Sequence, residues 1–463
     1  MSTRTEKDLL GSKQIPDEKY WGIHTFRALE NFPFSGLKVP QSLITSMAEV
    51  KLAAARANHE LGYLEQNQFK AIEQACIKII DGDLQDEFPL PALQGGAGTS
   101  LNMNLNEVIA NRALEIYGKQ KGEYHFINPI EDINLHQSTN DVYPTALKIA
   151  VIKNLQILAG QITHLQGTLQ KKEQDFSGIL TLARTQMQNA APITLGAQFA
   201  SFAEAIGRDR WRIFKSEERL RTVNIGGTAV GTGLTAPRDY IFLVIEKLRE
   251  ITKLGLSRAD HVMDQTANTD CFVEVYGMLN ANAINLQKIS SDLRIMHYLQ
   301  EITLSKKQAG SSIMPGKVNP VILEAVISAA LKVENDSHLI SRLSASGTFQ
   351  INEFLPLMGD TILNALKLLE TSNEILANHI NEITTNKEAL EEKVFTNSIL
   401  ITAFLPFVGY EKAETILKQY NENNTNISFK NFLINELGEE LVNKILSSHN
   451  LISLGFKTDG KNT

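Results

Sequence analysis

Apolar residues spaced three or four positions apart dominate the middle of the chain. One such seam consists of Val151, Leu155, Leu158, Ile162, Leu165 and Leu169. A second consists of Leu279, Ala283, Leu286, Ile289, Leu293 and Met296, and a third, interrupted at Asn373, of Ile362, Leu366, Leu369, Leu376, Ile380 and Ile383. This periodicity predicts long amphipathic helices. Because a narrow apolar stripe must be covered by partner helices, the pattern predicts an all-α protein built around a bundle of long helices.

The same pattern divides the chain into three parts. Residues 1–140 are rich in Gly and Pro and mix short helical runs with turns, which predicts an N-terminal helical domain. Residues 141–390 carry the long seams and form the predicted bundle domain. These seams exceed what one chain usually buries, so we expect seams such as 151–169 to be buried between the chains of an oligomer.

Residues 391–463 lose the long periodicity, and we predict a small C-terminal helical domain. Ser428 is a good cap for a helix over 429–437, and Gly438 would end it. A second helix is predicted over 439–446, and the Asn-rich stretch 421–426 is predicted to be a loop.

Composition and charge exclude several classes of protein. The 463 residues are 43% hydrophobic and 21% charged, which is typical of a globular protein and not of a disordered one. With 45 Lys and Arg against 52 Asp and Glu, the net charge is −7, so nucleic acid is not the expected partner. Two distant cysteines, a polar N-terminus and the absence of a long apolar run predict a cytoplasmic protein without a membrane span.

Neither a nucleotide site nor a metal site is indicated. The glycine segments QGGAGTS (94–100) and GGTAVGTG (226–233) lack the GxxxxGK[ST] pattern of a phosphate loop, and neither opens a βαβ unit. Each alone is read more readily as a turn. The ten histidines are scattered without an HExxH pattern, so we expect a site with no metal and no cofactor.

Three runs of small hydroxyl and amide residues are the first candidates for binding. They are Thr99–Asn104, Gln137–Asp141 and Arg184–Gln186. Any one of them could be an ordinary helix N-cap. Three such runs at the mouths of long helices favour a binding site instead, because hydroxyls, amides and helix N-termini are what an anionic carboxylate ligand requires.

The segment GSSIMPGKVNPVILEA, residues 310–325, is the most informative. Gly310 and Gly316 suggest a mobile loop, and Pro320 would open the next helix. A solvated connection explains the polar residues but not the apolar pair Ile313 and Met314 in its middle. We therefore predict a functional loop over residues 310–320.

The sequence resembles a known family in five blocks. GSSIMPGKVNP resembles the signature loop of the aspartase/fumarase superfamily, and four further blocks resemble that family in the same order: QGGAGTSLNMNLNEVIANRALE, INLHQSTNDVYPTALKIA, ARTQMQNAAPITLG and GGTAVGTGLTAPRDY. Together the blocks cover nearly the whole chain. Within the superfamily the chain looks most like the aspartate ammonia-lyases, through its opening DLLGSKQIPDEKYWGIHTFRALENF, through KGEYHFINP, and through Thr185–Gln186, where fumarases usually carry Thr-His.

The resemblance implies a fold, an assembly and a reaction. The fold is an N-terminal helical domain, a central five-helix bundle and a small C-terminal domain. The assembly is a homotetramer whose active sites each draw on three subunits. The reaction is the reversible conversion of L-aspartate, a small dicarboxylate, into fumarate and ammonium.

Site residues follow from the resemblance, position by position. Ser311 corresponds to the general base. Thr99, Ser138 and Thr139 correspond to the residues that hold the β-carboxylate, helped by the backbone at Ser312. Lys317 and Asn319 correspond to the residues that hold the α-carboxylate. Asn140, Thr185 and Gln186 correspond to residues on the side of the departing amine. Glu324 corresponds to the glutamate that supports the histidine in fumarases, and here it is expected to face Gln186.

Two departures from the family pattern bear on these expectations. The link before the signature loop, residues 294–309, is about five residues shorter than usual and lacks a Ser-Gly-Pro-Arg run, with His297 and Tyr298 near that place. Asn189 stands where an aspartate is common. A fumarate hydratase stays an alternative because fumarases share the signature loop and the GGTAVGTG block, although Gln186 in place of histidine disfavours it. The short link leaves two further alternatives open: a lyase acting on another succinyl compound, and a weakly catalytic paralogue with a binding or structural role.

Overall fold

The computed structural model describes residues 2–422, 427–453 and 455. In chain order its helices are α1 (Ile23–Asn31), α2 (Gln41–Glu60), α3 (Gln66–Ile80), α4 (Thr99–Ile116), α5 (Thr139–Asp175), α6 (Leu195–Leu220), α7 (Arg238–Thr252), α8 (Val262–Ala267), α9 (Asp270–Tyr298), α10 (Val321–Ser344), α11 (Leu355–Asn381), α12 (Lys387–Thr396), α13 (Leu405–Val408), α14 (Tyr410–Glu422), α15 (Phe429–Leu437), α16 (Glu439–Ile445) and α17 (Ser448–Leu451). The strands are β1 (Thr3–Asp8), β2 (Gly11–Pro16), β3 (Leu180–Thr185), β4 (Gln188–Thr194), β5 (Thr222–Val223) and β6 (Ser257–Arg258). No helix of the described part is both long and apolar enough to cross a bilayer.

Among the described residues, the five longest helices are α5, α6, α9, α10 and α11. The backbone divides into two compact units, one made of residues 1–159, 211–283 and 331–370 and the other of residues 160–210, 284–330 and 371–463. Each long helix contributes residues to both units. The prediction of an all-α fold built on long helices is confirmed, whereas the three-domain division with boundaries at 140 and 390 stays a prediction.

The predicted seams do lie on these helices, but the reason given for an oligomer was wrong. Every residue of the seam from Val151 to Leu169 is at most 1% exposed within the single chain, and the seams of α9 and α11 are buried as well. One chain therefore covers its own seams. The same long helices instead leave other large apolar side chains exposed: Ile157, Trp211, Phe214, Ile284 and Leu331.

The first unit contains a β-hairpin that the sequence patterns did not predict. Strands β1 and β2 pair antiparallel from Thr3 opposite Pro16 to Asp8 opposite Gly11. The buried carboxylate of Glu107 on α4 then fixes the chain that follows, accepting backbone N–H groups of Gly22 and His24 at 2.8 and 2.7 Å. Burial raises the pKa of Glu107 to about 7.

The second unit has a separate small core at the C-terminal end of the chain. Apolar residues of β3, α12 and the helices after it share this core, including Leu182, Phe404 and Phe429. Ser428 caps α15 by accepting the N–H of Asn431, and α15 ends before Gly438, as predicted. Residues 421–422 belong to α14 instead of the predicted loop, and 423–426 lie outside the described residues.

Candidate active site

Ser138 directly precedes α5, and Thr139 and Asn140 are the first two residues of that helix. Ser138 behaves as an N-cap, since its hydroxyl accepts the N–H of Asn140 at 3.2 Å. The hydroxyl of Thr139 accepts a hydrogen bond from the side-chain amide of Asn102 at 3.1 Å, which ties α5 to α4. The capping interpretation of this run is therefore correct, and it leaves the hydroxyls at a helix N-terminus, where backbone dipoles favour anions.

Asp141 anchors the second glycine segment to this turn. Its carboxylate accepts the backbone N–H groups of Ser138, Gly226 and Thr228 at 2.9, 3.1 and 2.9 Å. Burial raises the pKa of Asp141 to about 7, although these donors and Lys51 favour the charged form. The segment 226–233 is thus a clamp on the start of α5.

The clamp also orients Asn140. The side-chain N–H of Asn140 donates to the carbonyl of Ala229 at 2.8 Å, so the amide oxygen is left to accept from a ligand. A side-chain Cβ on Gly231 would lie 2.4 Å from the Cα of Met263, which explains why glycine is needed where this loop packs against the segment after it.

A buried lysine lies beneath the same turn. The ammonium of Lys51, which is 1% exposed, donates to the side-chain oxygens of Asn134 and Gln137 at 2.8 and 3.0 Å. The Asn134 oxygen also accepts from Asn102 at 3.1 Å. Burial lowers the pKa of Lys51 to about 7, and nearby Asp141 opposes that shift. This network connects the charge of Lys51 to Thr139 through two amides.

The first glycine segment brings Thr99 to the start of α4. Ala97 and Gly98 have φ angles of 56° and 91°, and a Cβ on Gly98 would lie 2.3 Å from the ring of Tyr143 on α5. The hydroxyl of Thr99 donates to the carbonyl of Gly96 at 2.7 Å and is exposed. Close packing at Gly98 therefore holds the N-termini of α4 and α5 together.

The prediction that Thr185 and Gln186 lie at the mouth of a long helix is wrong. The two residues lie at the tip of the β3–β4 hairpin. Thr185 pairs with Gln188, and the two residues between them, Gln186 and Met187, have φ angles of 50° and 62°. Two successive left-handed residues form a type I′ turn, which usually selects Asn-Gly. The sequence offered no such signal, so the hairpin was missed.

The signature loop folds back on itself between α9 and α10. The N–H of Gly310 donates to the carbonyl of Lys317 at 2.7 Å, and the Asn319 side chain donates to the carbonyl of Gly310 at 2.9 Å. A Cβ on Gly310 would lie 2.8 Å from the carbonyl oxygen of Lys317, so the closure requires glycine. The tip carries Ile313, which is 84% exposed.

Ser311 is held as a hydrogen-bond acceptor within this loop. Its hydroxyl oxygen accepts the backbone N–H groups of Ile313 and Met314 at 3.2 and 2.9 Å. Two N–H donors on one oxygen stabilise negative charge there. Ser312 and Lys317 are exposed in the same loop, and the exposed Glu324 lies 3.6 Å from the Arg294 guanidinium.

The predicted residues thus form two groups. Thr99, Ser138, Thr139 and Asn140 belong to the first unit, and the helix starts and the clamp bring them together there. Thr185, Gln186, Ser311, Ser312, Lys317, Asn319 and Glu324 belong to the second unit. The described residues contain no group of three or more His, Cys, Asp and Glu side chains that could hold a metal ion.

Sequence reasoning missed three buried charged residues that support these groups. Asp141 was grouped with its polar neighbours, and no role was predicted for Lys51 or for Glu301, which is 5% exposed and faces Arg184. The only signal for Lys51 was its place inside the otherwise apolar stretch VKLAAA on α2.

Known proteins resemble this chain over almost its full length. Residues 11–334 match the sequence model of a family described as Lyase. An aspartate ammonia-lyase from a Bacillus species is 40% identical over 459 residues, covering 98% of each chain. The aspartate ammonia-lyase of Escherichia coli K12 is 38% identical over 465 residues, covering 98% of this chain and 97% of that one.

Solved structures agree in fold. A fumarate lyase:delta crystallin from Brucella melitensis superposes with a TM-score of 0.92 at 38% identity, over 97% of this chain and 99% of that chain. A class II fumarase from Schistosoma mansoni superposes with a TM-score of 0.90 at 27% identity, over 96% of this chain and 98% of that chain. The long-helix fold, the ordered motif blocks and these matches agree, and the chain belongs to the aspartase/fumarase superfamily of lyases.

Proposed function

We propose that the protein is an aspartate ammonia-lyase, which converts L-aspartate reversibly into fumarate and ammonium by anti elimination. The relatives named aspartate ammonia-lyase support this, because they match over at least nine-tenths of the chain. The observation that carries the proposal over other lyases is the neutral amide of Gln186 at the exposed hairpin tip.

The chemical difficulty is removal of a C3 proton beside a carboxylate that is already anionic. The electrons left at C3 spread into that carboxylate as a doubly charged aci form. The site must therefore stabilise charge that develops only in the transition state. Thr99, Ser138 and Thr139 supply hydroxyls for it, and the backbone at Ser312 adds an N–H.

Ser311 accepts the C3 proton as the general base. A serine hydroxyl is a poor base at its ordinary pKa, so its alkoxide has to be stabilised. The N–H groups of Ile313 and Met314 do this at the Ser311 oxygen, and Lys317 adds a positive charge in the same loop. Closing the loop would exclude water and strengthen both effects.

The α-carboxylate is held by Lys317 and Asn319. One N–H of the Asn319 amide is committed to the Gly310 carbonyl, which fixes the amide and leaves its second N–H for the ligand. The ammonium cation of Lys317 provides the countercharge. These contacts with the α-carboxylate bring C3 of the substrate within reach of the loop.

The amine departs on the side of Asn140, Thr185 and Gln186. The substrate –NH₃⁺ takes the electron pair of the breaking C–N bond and leaves as neutral ammonia, so no protein acid has to protonate it. Hydroxide from L-malate would need such an acid. Gln186 cannot titrate near neutral pH as a histidine can, which disfavours malate.

We further propose a homotetramer in which three subunits complete each site. The two groups of site residues belong to different compact units, and exposed apolar side chains on the long helices offer surface for association. Fumarate hydratase is the second candidate, favoured by the superposition on the Schistosoma mansoni fumarase.

Incubation of the purified protein with fumarate, with and without ammonium, tests the function. We expect fumarate absorbance to fall only when ammonium is present, and L-aspartate to be the product. Malate formed at a comparable rate in ammonium-free buffer would replace the proposal with fumarate hydratase. Loss of activity in Gln186→Asn, but not in the adjacent Met187→Asn, would tie the preference to that side chain, since asparagine tolerates both left-handed positions.

A further inference from the structure

We propose that Glu301 is a positioning residue that aims the Thr185–Gln186 turn at the amine of the substrate. The inference rests on the proposed function and names a residue to which no role in it has been given. Glu301 lies in the short link after α9 and is 5% exposed, and the hydrogen bonds of its carboxylate are with Thr181 and Arg184, which precede the turn.

The carboxylate of Glu301 holds β3 at two points. It accepts the hydroxyl of Thr181 at 3.2 Å and one guanidinium N–H of Arg184 at 3.1 Å, and a second guanidinium nitrogen of Arg184 contacts its other oxygen. A two-pronged pair of this kind fixes direction as well as distance. Arg184 is the last residue before Thr185, so its orientation sets that of the tip.

The β3–β4 ladder is irregular beside this double contact. Side chains alternate between the faces of a regular strand, so residues 181 and 184 would point to opposite sides. The register of the β3–β4 pair shifts between Ala183 and Arg184 because Ala190 is an extra residue on β4, and such a bulge increases the local twist of the pair. Thr181 and Arg184 both reach the carboxylate of Glu301 beside this irregularity.

The backbone of Glu301 is itself fixed. Its N–H donates to the carbonyl of Met296 at 2.9 Å, and its carbonyl accepts the hydroxyl of Thr385 at 2.6 Å. Beyond it, Thr303 pairs with Thr384 as an isolated β-bridge. The anchor of the hairpin is therefore rigid, even though the link is short.

Among the described ion pairs of Arg184, the carboxylate is that of Glu301, so no second carboxylate there would replace it. Asn189, which pairs with Arg184 across the hairpin, is neutral. A cavity of about 340 Å³, lined in part by Asn189 and Lys393, lies beside the guanidinium. Without Glu301 the arginine would have room to turn away, and the tip would lose its direction.

The test compares Glu301→Gln with a matched control, Glu382→Gln. Both remove a carboxylate, but Glu382 is exposed, and its ion pair is with the exposed Lys307 and not with a residue of the hairpin. Two readouts are needed: turnover of L-aspartate, and inhibition by succinate, which has both carboxylates and no amine. A further variant, Arg184→Lys, keeps a cation at position 184. A double variant, Arg184→Glu with Glu301→Arg, exchanges the two residues and so restores both charges.

We expect Glu301→Gln to lower kcat for L-aspartate roughly 10- to 100-fold, the usual cost of a small misplacement. The inhibition constant for succinate should stay within about twofold, because the carboxylate contacts remain. The kcat of Arg184→Lys should lie between those of Glu301→Gln and the wild type, and the exchanged pair should recover part of the activity. Glu382→Gln should have the kcat of the wild type.

Two results would overturn the positioning role: unchanged kcat in Glu301→Gln, or equal losses in aspartate turnover and succinate binding, which indicate general loosening. An inactive wild-type protein would instead overturn the proposed function. If Glu301→Gln does not fold, Arg184→Lys decides between these results by the same two measurements.

Discussion

Ser311 and Ser312 are adjacent and chemically identical, yet the loop gives them different environments. Ser311 turns its oxygen towards two backbone N–H groups, whereas Ser312 is exposed. Only the first arrangement stabilises an alkoxide. The proposed division between base and carboxylate ligand therefore rests on local backbone geometry and not on residue type.

Replacing Ser311 by Ala should lower turnover of L-aspartate by about 10²–10⁴, the usual contribution of a positioned general base. Substrate affinity should change little, because Lys317 and Asn319 remain. Steady-state kinetics with Ser328→Ala as control provide the check, since Ser328 is an exposed serine on α10. Near wild-type turnover in Ser311→Ala would rule out this base.

Candidate site residues in exposed loops could be identified from the sequence, whereas the buried charged residues that support them could not. The apolar pair Ile313 and Met314 among the polar residues of 310–320 predicts a functional loop from the sequence, and the function of that loop stays a prediction. Asp141, Lys51 and Glu301 gave no comparable signal, because each is defined by partners 83 to 120 residues away and by burial that only the folded chain creates. Such residues look like ordinary surface charges in a sequence.

At the scale of elements, prediction succeeded where the local chemistry was unambiguous. Ser428 and Gly438 delimit α15 because a hydroxyl cap and a left-handed glycine are strong stop signals. Both hairpins were missed, since the β3–β4 turn uses Gln186 and Met187 at positions that normally select Asn and Gly.

The junction between α4 and α5 gives an element-scale prediction. Gly98→Ala combines a left-handed backbone with a clash against Tyr143, whereas Gly118→Ala, after α4, has φ 78° and open space. We expect Gly118→Ala to lower the free energy of unfolding by about 1–2 kcal/mol, and Gly98→Ala by about 2–5 kcal/mol. Urea unfolding at one protein concentration measures both.

Only Gly98→Ala should also reduce turnover, because it separates Thr99 from the start of α5. Equal effects of the two substitutions on stability and turnover would mean that the packing of Gly98 against Tyr143 has no role in the site.

For the whole molecule, the apolar seams do not support the proposed tetramer, because the single chain buries them. Support for the proposal comes instead from the exposed apolar residues on α5, α6, α9 and α10, such as Trp211 at 67% exposure. We expect light scattering to give a tetramer, and a monomer with full activity would contradict the proposed sharing of sites.

Mixing two inactive variants tests the sharing directly. Ser311→Ala and Ser138→Ala alter different units, so hybrids formed by unfolding and refolding a mixture should contain some sites with neither defect. If the two segments come from different subunits, random mixing restores about a quarter of wild-type activity. If one subunit supplied both segments, the mixture would stay inactive.

The clamp made by Asp141 has a consequence for how the chain folds. The long helices form from neighbouring residues, whereas the carboxylate of Asp141 reaches N–H groups 85 and 87 residues further along the chain. Contacts across such separations close large loops and form slowly compared with helices. On refolding, circular dichroism should therefore recover before turnover does, even at protein concentrations where subunit association is fast. Simultaneous recovery would mean that the clamp is already in place when the helices appear.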